Sequence, residues 1–572
     1  MINFKEQIGA LLAEQIEGLT AEELTAMVEV PTDSKLGDYA FPCFRLAKVM
    51  RKSPAVIAKD IAEKISENEM FERVESVNAY VNMFMGREVF MREVLAEVAS
   101  MKDRYGSSDV GQNRKVIVEY SSPNIAKPFH IGHIRSTVIG NAIYKLYDFL
   151  GFDTVRINHL GDYGTQFGKM IVAYRHWGNK EDVVKSPMEA LRGYYVKFHE
   201  EAEKDPSLEE EARATFTRLE NGAEEETALW EWFRDESLRE FGKVYKMLGI
   251  EFDSYAGESF YSDKMGRVLS ELKEKNLLVE SEGAQIVDLS EYNMSPALVT
   301  KKDGSTLYIT RDIAAAIYRK EHYDFYKNLY IVASQQNLHF QQWIQVVELM
   351  GYEWARSCIH IPFGLVSLDD GTMSTRHGRV VFLEDVLNKA IERTREIILE
   401  KKVNTEDVDV TAKQVGIGAV IFNELSNGRI KDYVFSWDKI LNFDGETGPY
   451  VQYTYARAAS VLRNAGEDEE SILSKGQSAD LQYICNDSAY ELARLIYEFP
   501  DRVYEAAEKY EPSIVTRQIV DIAQSFNRFY HNEHILVENE DEKKAKLLLT
   551  YAAKQTIKNG LLLLGIEVPE RM

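Results

Sequence analysis

Lys115-Val116-Ile117-Val118-Glu119-Tyr120 and, one turn later, His130-Ile131-Gly132-His133 decide how this chain folds. The first run is apolar and rich in β-branched residues, which predicts a buried strand. The second opens a periodic stretch that predicts a helix to about Leu150. Thr154-Val155-Arg156-Ile157-Asn158 predicts the next strand, which completes a strand–helix–strand unit and starts a parallel doubly wound sheet. A strand that turns into a helix points free N–H groups and the positive end of the helix dipole at one place, a natural phosphate site. His130 and His133 share one helical face there, and Gly132 lets a flat base approach the backbone. The expected ligand is a nucleotide, with ATP the first choice. Alone, the motif also reads as a helix start with two capping histidines.

Outward from this unit, residues 1–110 carry helical apolar repeats and the alternating run Tyr80-Val81-Asn82-Met83-Phe84-Met85, a small α+β domain. Residues 111–390 are expected to hold the parallel sheet, with a charged helical insertion at about 180–245. Sheet-like runs resume at Leu307-Tyr308-Ile309, Leu329-Tyr330-Ile331-Val332 and Ile359-His360-Ile361. Residues 391–449 read as a helical connection and 450–572 as an all-α domain. The expected architecture is therefore multidomain α/β.

A length of 572 residues suggests several cores. An apolar fraction of 45% with 28% charged residues is that of a globular protein in water. No apolar run is long enough to span a bilayer, and the N-terminus is amphipathic rather than a signal peptide. Cys43, Cys358 and Cys485 are scattered, so neither a disulfide framework nor a zinc site is expected, and a reducing cytoplasm is the simplest home. The net charge of −24 sits poorly with a nucleic-acid partner, but Arg45, Lys48, Arg51 and Lys52 show that charge is uneven along the chain.

A second motif, Gly371-Thr372-Met373-Ser374-Thr375-Arg376-His377-Gly378, has the composition of a glycine-flanked loop that closes over phosphates. Together, H-I-G-H and the later T-M-S-T-R resemble the paired signatures of class I aminoacyl-tRNA synthetases. Ser121-Ser122-Pro123-Asn124-Ile125-Ala126-Lys127-Pro128-Phe129, Asn158-His159-Leu160-Gly161-Asp162-Tyr163-Gly164-Thr165-Gln166, Tyr308-Ile309-Thr310-Arg311-Asp312 and the terminal Gly565-Ile566-Glu567-Val568-Pro569-Glu570-Arg571-Met572 narrow the resemblance to the arginyl-tRNA synthetases, over essentially the whole chain. It departs from the class pattern at Thr372 and Thr375, where class I loops generally carry lysines. Lys127 is expected to supply the missing charge.

The resemblance implies a Rossmann-like class I catalytic domain, an N-terminal domain on the tRNA elbow and a C-terminal anticodon-binding domain. It implies ligation of L-arginine to the 2′-hydroxyl of the terminal adenosine of tRNA(Arg) through an adenylate, with ATP and Mg2+. Its expected catalytic residues are His130, His133 and Lys127, with Gly132, Met373, Ser374 and His377 also on ATP. A guanidinium requires carboxylates in bidentate geometry. That role falls to Asp312 with Tyr308, and to Glu258. Glu119, Asn124 and Gln336 take the α-amino and carboxylate end. Asp312 also reads as the cap of a helix starting at Ile313. Tyr453, Arg457, Phe529 and Met572 are candidate tRNA contacts, and a monomer is the family expectation.

Overall fold

Tyr80–Met85 (β3) buries Val81, Met83 and Met85, and it forms the centre of an antiparallel sheet between β1 (Tyr39–Pro42) and β2 (Phe71–Val77). The computed structural model describes residues 2–301, 307–368, 381–403, 405–440, 442 and 445–572. It divides into two compact units. One comprises Met1–Gly106, Thr454–Asp501 and Gln518–Asn559; the other comprises Ser107–Tyr453, Arg502–Arg517 and Gly560–Met572.

The first unit joins segments far apart in sequence. Phe4 lies 5.3 Å from Phe90 and 5.2 Å from Tyr497, ring centre to ring centre. The buried Tyr105 hydroxyl donates to the Ile496 carbonyl at 2.8 Å. Asp103 accepts from Gln555 and Lys558, each at 2.8 Å. These contacts bury aromatic area and also satisfy the polar ends of the rings.

In the second unit β4 (Lys115–Glu119) is the strand expected from sequence, with Val116, Ile117 and Val118 fully buried. β5 (Asp153–Ile157) pairs with it in parallel. A small antiparallel sheet of β6 (Val279–Ser281), β7 (Ala284–Val287) and β8 (Ala297–Thr300) lies later in the chain. β9 (Lys327–Ala333) then pairs with the other edge of β4, and β10 (Cys358–Phe363) pairs with β9. The order β10-β9-β4-β5 reverses direction between β4 and β9, and ligands in such sheets bind beyond the carboxyl ends at that point. β11 (Val366–Leu368) pairs in parallel with β12 (Tyr433–Phe435).

The helix Ile134–Phe149 covers one face of the sheet, and Gly140 sets how closely it sits. A Cβ there would lie 2.2 Å from the Tyr120 Cβ. Gly140→Ala is therefore expected to lower stability by about 1–3 kcal/mol, the usual cost of forcing a methyl into a packed layer. Urea denaturation measures it, and an unchanged midpoint would show that the helix shifts without strain. On the opposite face the helices Tyr308–Tyr323 and Asn337–Leu349 bury Ile313, Ile317, Trp343 and Val347 against Ile117 and Tyr330.

The strand expected at Leu307-Tyr308-Ile309 is corrected. Leu307 is an extended cap and Tyr308 is the first residue of the helix to Tyr323. Asp312 lies inside this helix and does not cap it. The insertion expected at about 180–245 is helical, including Lys180–Lys185, Pro187–Ala202, Ser207–Glu220 and Glu224–Leu248. Among the described residues no helix is long and apolar enough to cross a membrane.

Candidate active site

Between β4 and the helix Ile134–Phe149, Ser121, Ser122 and Ala126 have φ of +68°, +47° and +57°. Left-handed backbone at ordinary residues costs of order 1–3 kcal/mol each and persists only where neighbours enforce it. They do so here. The Ser121 amide donates to Ser136 Oγ at 2.9 Å, and the Ser121 hydroxyl lies 2.8 Å from that of Tyr245. The Ala126 amide donates to Ser237 Oγ at 2.9 Å. The loop is thereby fixed ahead of Lys127.

His130 caps the helix start: its Nδ1 accepts from the Gly132 amide at 3.1 Å, which leaves the ring proton on Nε2. The capping expected as the plainer reading is present, and it aims a donor outward. The His133 ring lies 4.1 Å from the His130 ring, centre to centre. Burial lowers the His130 pKa. Burial and then the His130 neighbour push His133 down to about 3, with Lys127 acting in the same direction. Both rings are neutral donors at physiological pH. For Lys127, burial lowers the pKa while the Glu258 carboxylate raises it.

Asn124, Lys127, His130 and His133 open on a cavity of about 930 Å3, whose other wall includes Arg192 and His199 of the insertion. This is room for a nucleotide. The backbone after the second sequence motif is stitched to the first. The Ile131 amide donates to Val381 O at 3.1 Å, and the Leu383 amide donates to Phe129 O at 3.0 Å. Met373, Ser374 and His377 themselves, with Thr372 and Thr375, lie outside the described residues.

The segment after β5 gathers the acidic side of the site. The Gly161 amide donates to Pro123 O at 3.1 Å and its carbonyl accepts from the Ile125 amide at 3.2 Å, which holds Asn124 between them. A Cβ on Gly161 would lie 2.3 Å from Asn124 Oδ1, so this approach requires glycine. The Leu160 carbonyl accepts from the Glu258 amide at 2.9 Å. Asp162 receives the Ser259 amide and hydroxyl, both at 2.8 Å.

Each expected carboxylate already has a basic side chain of the protein beside it. Glu119 pairs with Arg319 at 2.5 Å, Glu258 with Arg311 at 2.8 Å and Asp312 with His339 at 2.5 Å. Burial pushes the Glu258 carboxyl up to about 7, against the pull of Arg311, with Asp312 and Asp162 adding to the rise. Tyr308 is 65% exposed, and Gln336 lies exposed in the turn after β9. Sequence reading missed these three partners, although Arg311, Asp312 and Arg319 share one helix.

Family models match the chain in three consecutive blocks: the arginyl tRNA synthetase N-terminal domain at residues 4–85, the catalytic domain of class I (R) tRNA synthetases at 94–437, and the DALR anticodon binding domain at 451–572. The chain is 58% identical to an arginine–tRNA ligase of Clostridioides difficile and 56% identical to one of Halothermothrix orenii, each over the full length of both chains. It belongs to the class I arginyl-tRNA synthetases. Among solved structures, the Thermus thermophilus arginyl-tRNA synthetase superposes with a TM-score of 0.80 at 26% identity, covering 100% of this chain and 99% of that one. The Plasmodium falciparum arginyl-tRNA synthetase gives 0.79 at 25% identity, with the same coverage.

For an arginyl-tRNA synthetase, one expected tRNA contact needs correction. Phe529 is fully buried, as are Phe526 and Tyr455, so these rings are core and cannot stack on a base. Tyr453 is 39% exposed. Arg457 bonds to Asn527 and lies over the Tyr530 ring at 5.3 Å, and Met572 is half-buried.

A residue that sequence reading passed over holds the histidine motif in place. Arg135, on the first turn of the helix after His133, is fully buried. It donates to the carbonyls of Gly364 at 3.0 Å, Lys431 at 2.7 Å and Arg429 at 3.2 Å. Its Nε lies 3.5 Å from Glu424, also fully buried. Burial pushes the Glu424 carboxyl up to about 8, with Arg135 pulling it back.

Proposed function

We propose that this chain activates L-arginine with ATP and transfers it to the 2′-hydroxyl of the terminal adenosine of tRNA(Arg). The observation that carries the reading is the division of the site. A cationic and N–H-rich mouth at Lys127, His130 and His133 stands beside a carboxylate-lined edge at Glu119, Glu258 and Asp312.

In the first step the arginine carboxylate attacks the α-phosphorus in line, and the bond to pyrophosphate breaks. No enzyme nucleophile takes part, so positioning and charge stabilisation supply the catalysis. Lys127 neutralises the phosphates while His130 and His133 donate neutral N–H bonds to their oxygens. Gly132 gives the adenine access to the backbone, and Met373, Ser374 and His377 cover the nucleotide. Asp312, with Tyr308 beside it and Glu258 behind, receives the guanidinium. Glu119, Asn124 and Gln336 orient the α-amino and carboxylate groups. In the second step the ribose hydroxyl attacks the mixed anhydride carbonyl and AMP leaves.

Magnesium is expected to arrive with ATP. Among the described residues no set of three His, Cys, Asp or Glu side chains could ligate a metal ion, and no step above passes through one. Tyr453, Arg457 and Met572 are assigned to tRNA. The enzyme acts as a cytoplasmic monomer.

Purified protein with ATP, tRNA and each amino acid in turn tests the reading: arginine gives aminoacyl-tRNA, whereas lysine and glutamine give none. Charging with another amino acid and not with arginine would overturn it. Asp312→Asn is expected to raise the KM for arginine by about 10²-fold, because it removes one charge-assisted bidentate contact. An unchanged KM would place the guanidinium elsewhere.

A further inference from the structure

The carboxylates assigned to arginine each carry a partner already. A carboxylate that accepts from a basic side chain of the protein has fewer lone pairs and less uncompensated charge to offer a guanidinium. In the pairs Glu119–Arg319, Glu258–Arg311 and Asp312–His339, a side chain of the protein stands where a substrate cation would bind.

The three pairs are not equally easy to open. Arg319 is fully buried, and its cation lies over the Tyr261 and Tyr330 rings at 5.8 and 5.5 Å. Arg311 is 6% exposed, over the Tyr163 ring at 4.5 Å and the Tyr308 ring at 5.5 Å. Neither guanidinium can lose its charge, and separating either from its carboxylate would strand a buried ion. His339 and Asp312 are different. Their side chains are 27% and 32% exposed, so parting them seals no ion away from water. His339 is also on the first turn of Asn337–Leu349, where a rotamer change moves it without moving the helix axis.

We infer that His339 is the resident counterion of Asp312 and that L-arginine enters by displacing it, an inference that rests on the reading of Asp312 as the guanidinium carboxylate. Lysine gains less from the exchange, because an ammonium that displaces His339 cannot make the two parallel N–H bonds that a guanidinium makes. The pocket thus discriminates by what the entering cation must outcompete as well as by what it touches.

The titratable groups around the pair come from several elements. Asp312, Arg311 and Arg319 are on the helix Tyr308–Tyr323, and His360 faces His339 from β10. Glu258 and His159, from the segments after β5, face Asp312. A cation at position 339 competes with the substrate for Asp312, and a neutral side chain there competes less.

The test is the KM and kcat for arginine in ATP–pyrophosphate exchange with tRNA present, for the wild type and for variants at position 339. His339→Arg, a permanent cation, raises KM by about tenfold, and His339→Gln, which carries no charge, lowers it by about threefold. These changes fall on KM rather than kcat, which loss of structure alone would not produce. His339→Asn repeats the measurement if the glutamine variant does not fold. A KM not lowered in His339→Gln, or a wild-type KM in His339→Arg, overturns the proposal while a raised KM in Asp312→Asn keeps the pocket reading intact. A wild-type KM in Asp312→Asn removes both.

Discussion

Lys127→Ala lowers arginine-dependent ATP–pyrophosphate exchange by about 10²- to 10³-fold, the usual cost of deleting one preorganised group that meets developing charge, and leaves circular dichroism and the denaturation midpoint unchanged. The size follows from what surrounds it. His130 and His133 open on the same cavity but are neutral, so they contribute N–H dipoles and no net charge. The second sequence motif, Gly371 to Gly378, holds threonines at 372 and 375 and no lysine. The ammonium also costs the fold little to lose: the residue is exposed, and Glu258 is the carboxylate whose charge it feels. Lys127→Arg should recover part of the rate, since the charge returns on a longer and differently shaped donor set. Exchange within about threefold of wild type in Lys127→Ala would assign phosphate neutralisation to another group, with Arg192 the next candidate on the cavity wall.

Arg135→Ala lowers the free energy of unfolding by about 3–5 kcal/mol, the range for removing one partner of a buried charge pair. The guanidinium donates to the carbonyls of Gly364, Arg429 and Lys431 and stands 3.5 Å from Glu424, so truncation leaves three acceptors without a donor and a buried acid without its counter-ion. Neither oxygen of Glu424 has a hydrogen-bond partner among the described residues, and its charge rests on Arg135. Arg135→Ala with Glu424→Gln together should therefore cost less than Arg135→Ala alone, because the stranded carboxylate is gone. Urea titrations of the two variants measure the difference. A midpoint for Arg135→Ala within error of wild type would mean that water replaces the guanidinium at all of these contacts.

The strand–helix–strand unit at 115–157 was legible because a buried parallel strand is written as an unbroken apolar run, and because a helix start needs a cap, here His130. Leu307-Tyr308-Ile309 was not legible. A three-residue apolar run fits either period, and the helix-forming Ala314-Ala315-Ala316 that decides it comes later. Phe529 and Tyr530 illustrate a second limit. They are neighbours on one helix, yet Phe529 is fully buried and Tyr530 is 38% exposed, since one residue is a 100° turn. Spacing shows that an aromatic stripe exists but not which edge of it meets the core. The need for carboxylates follows from the chemistry of arginine, and the family resemblance puts that role on Asp312. Their partners within the protein were not legible, because the pairing of Asp312 with His339 or Glu119 with Arg319 is a fact of packing between elements remote in sequence.

The interleaving of the first unit has a consequence during synthesis. The Phe4 amide donates a hydrogen bond to the Tyr497 hydroxyl across 493 residues of chain, and Tyr105 waits across 391 for Ile496. A ribosome delivers the chain from its N-terminus, so the first hundred or so residues emerge long before the segments that cover Phe4, Phe90 and Tyr105 exist. Until then those rings are exposed to other chains, and closing so long a loop is slow. An interrupted chain never receives its cover. Translation stalls or premature stops before residue 454 should therefore yield aggregation-prone, rapidly degraded fragments rather than a smaller working enzyme. Completion of the polypeptide is itself a condition for the solubility of its beginning.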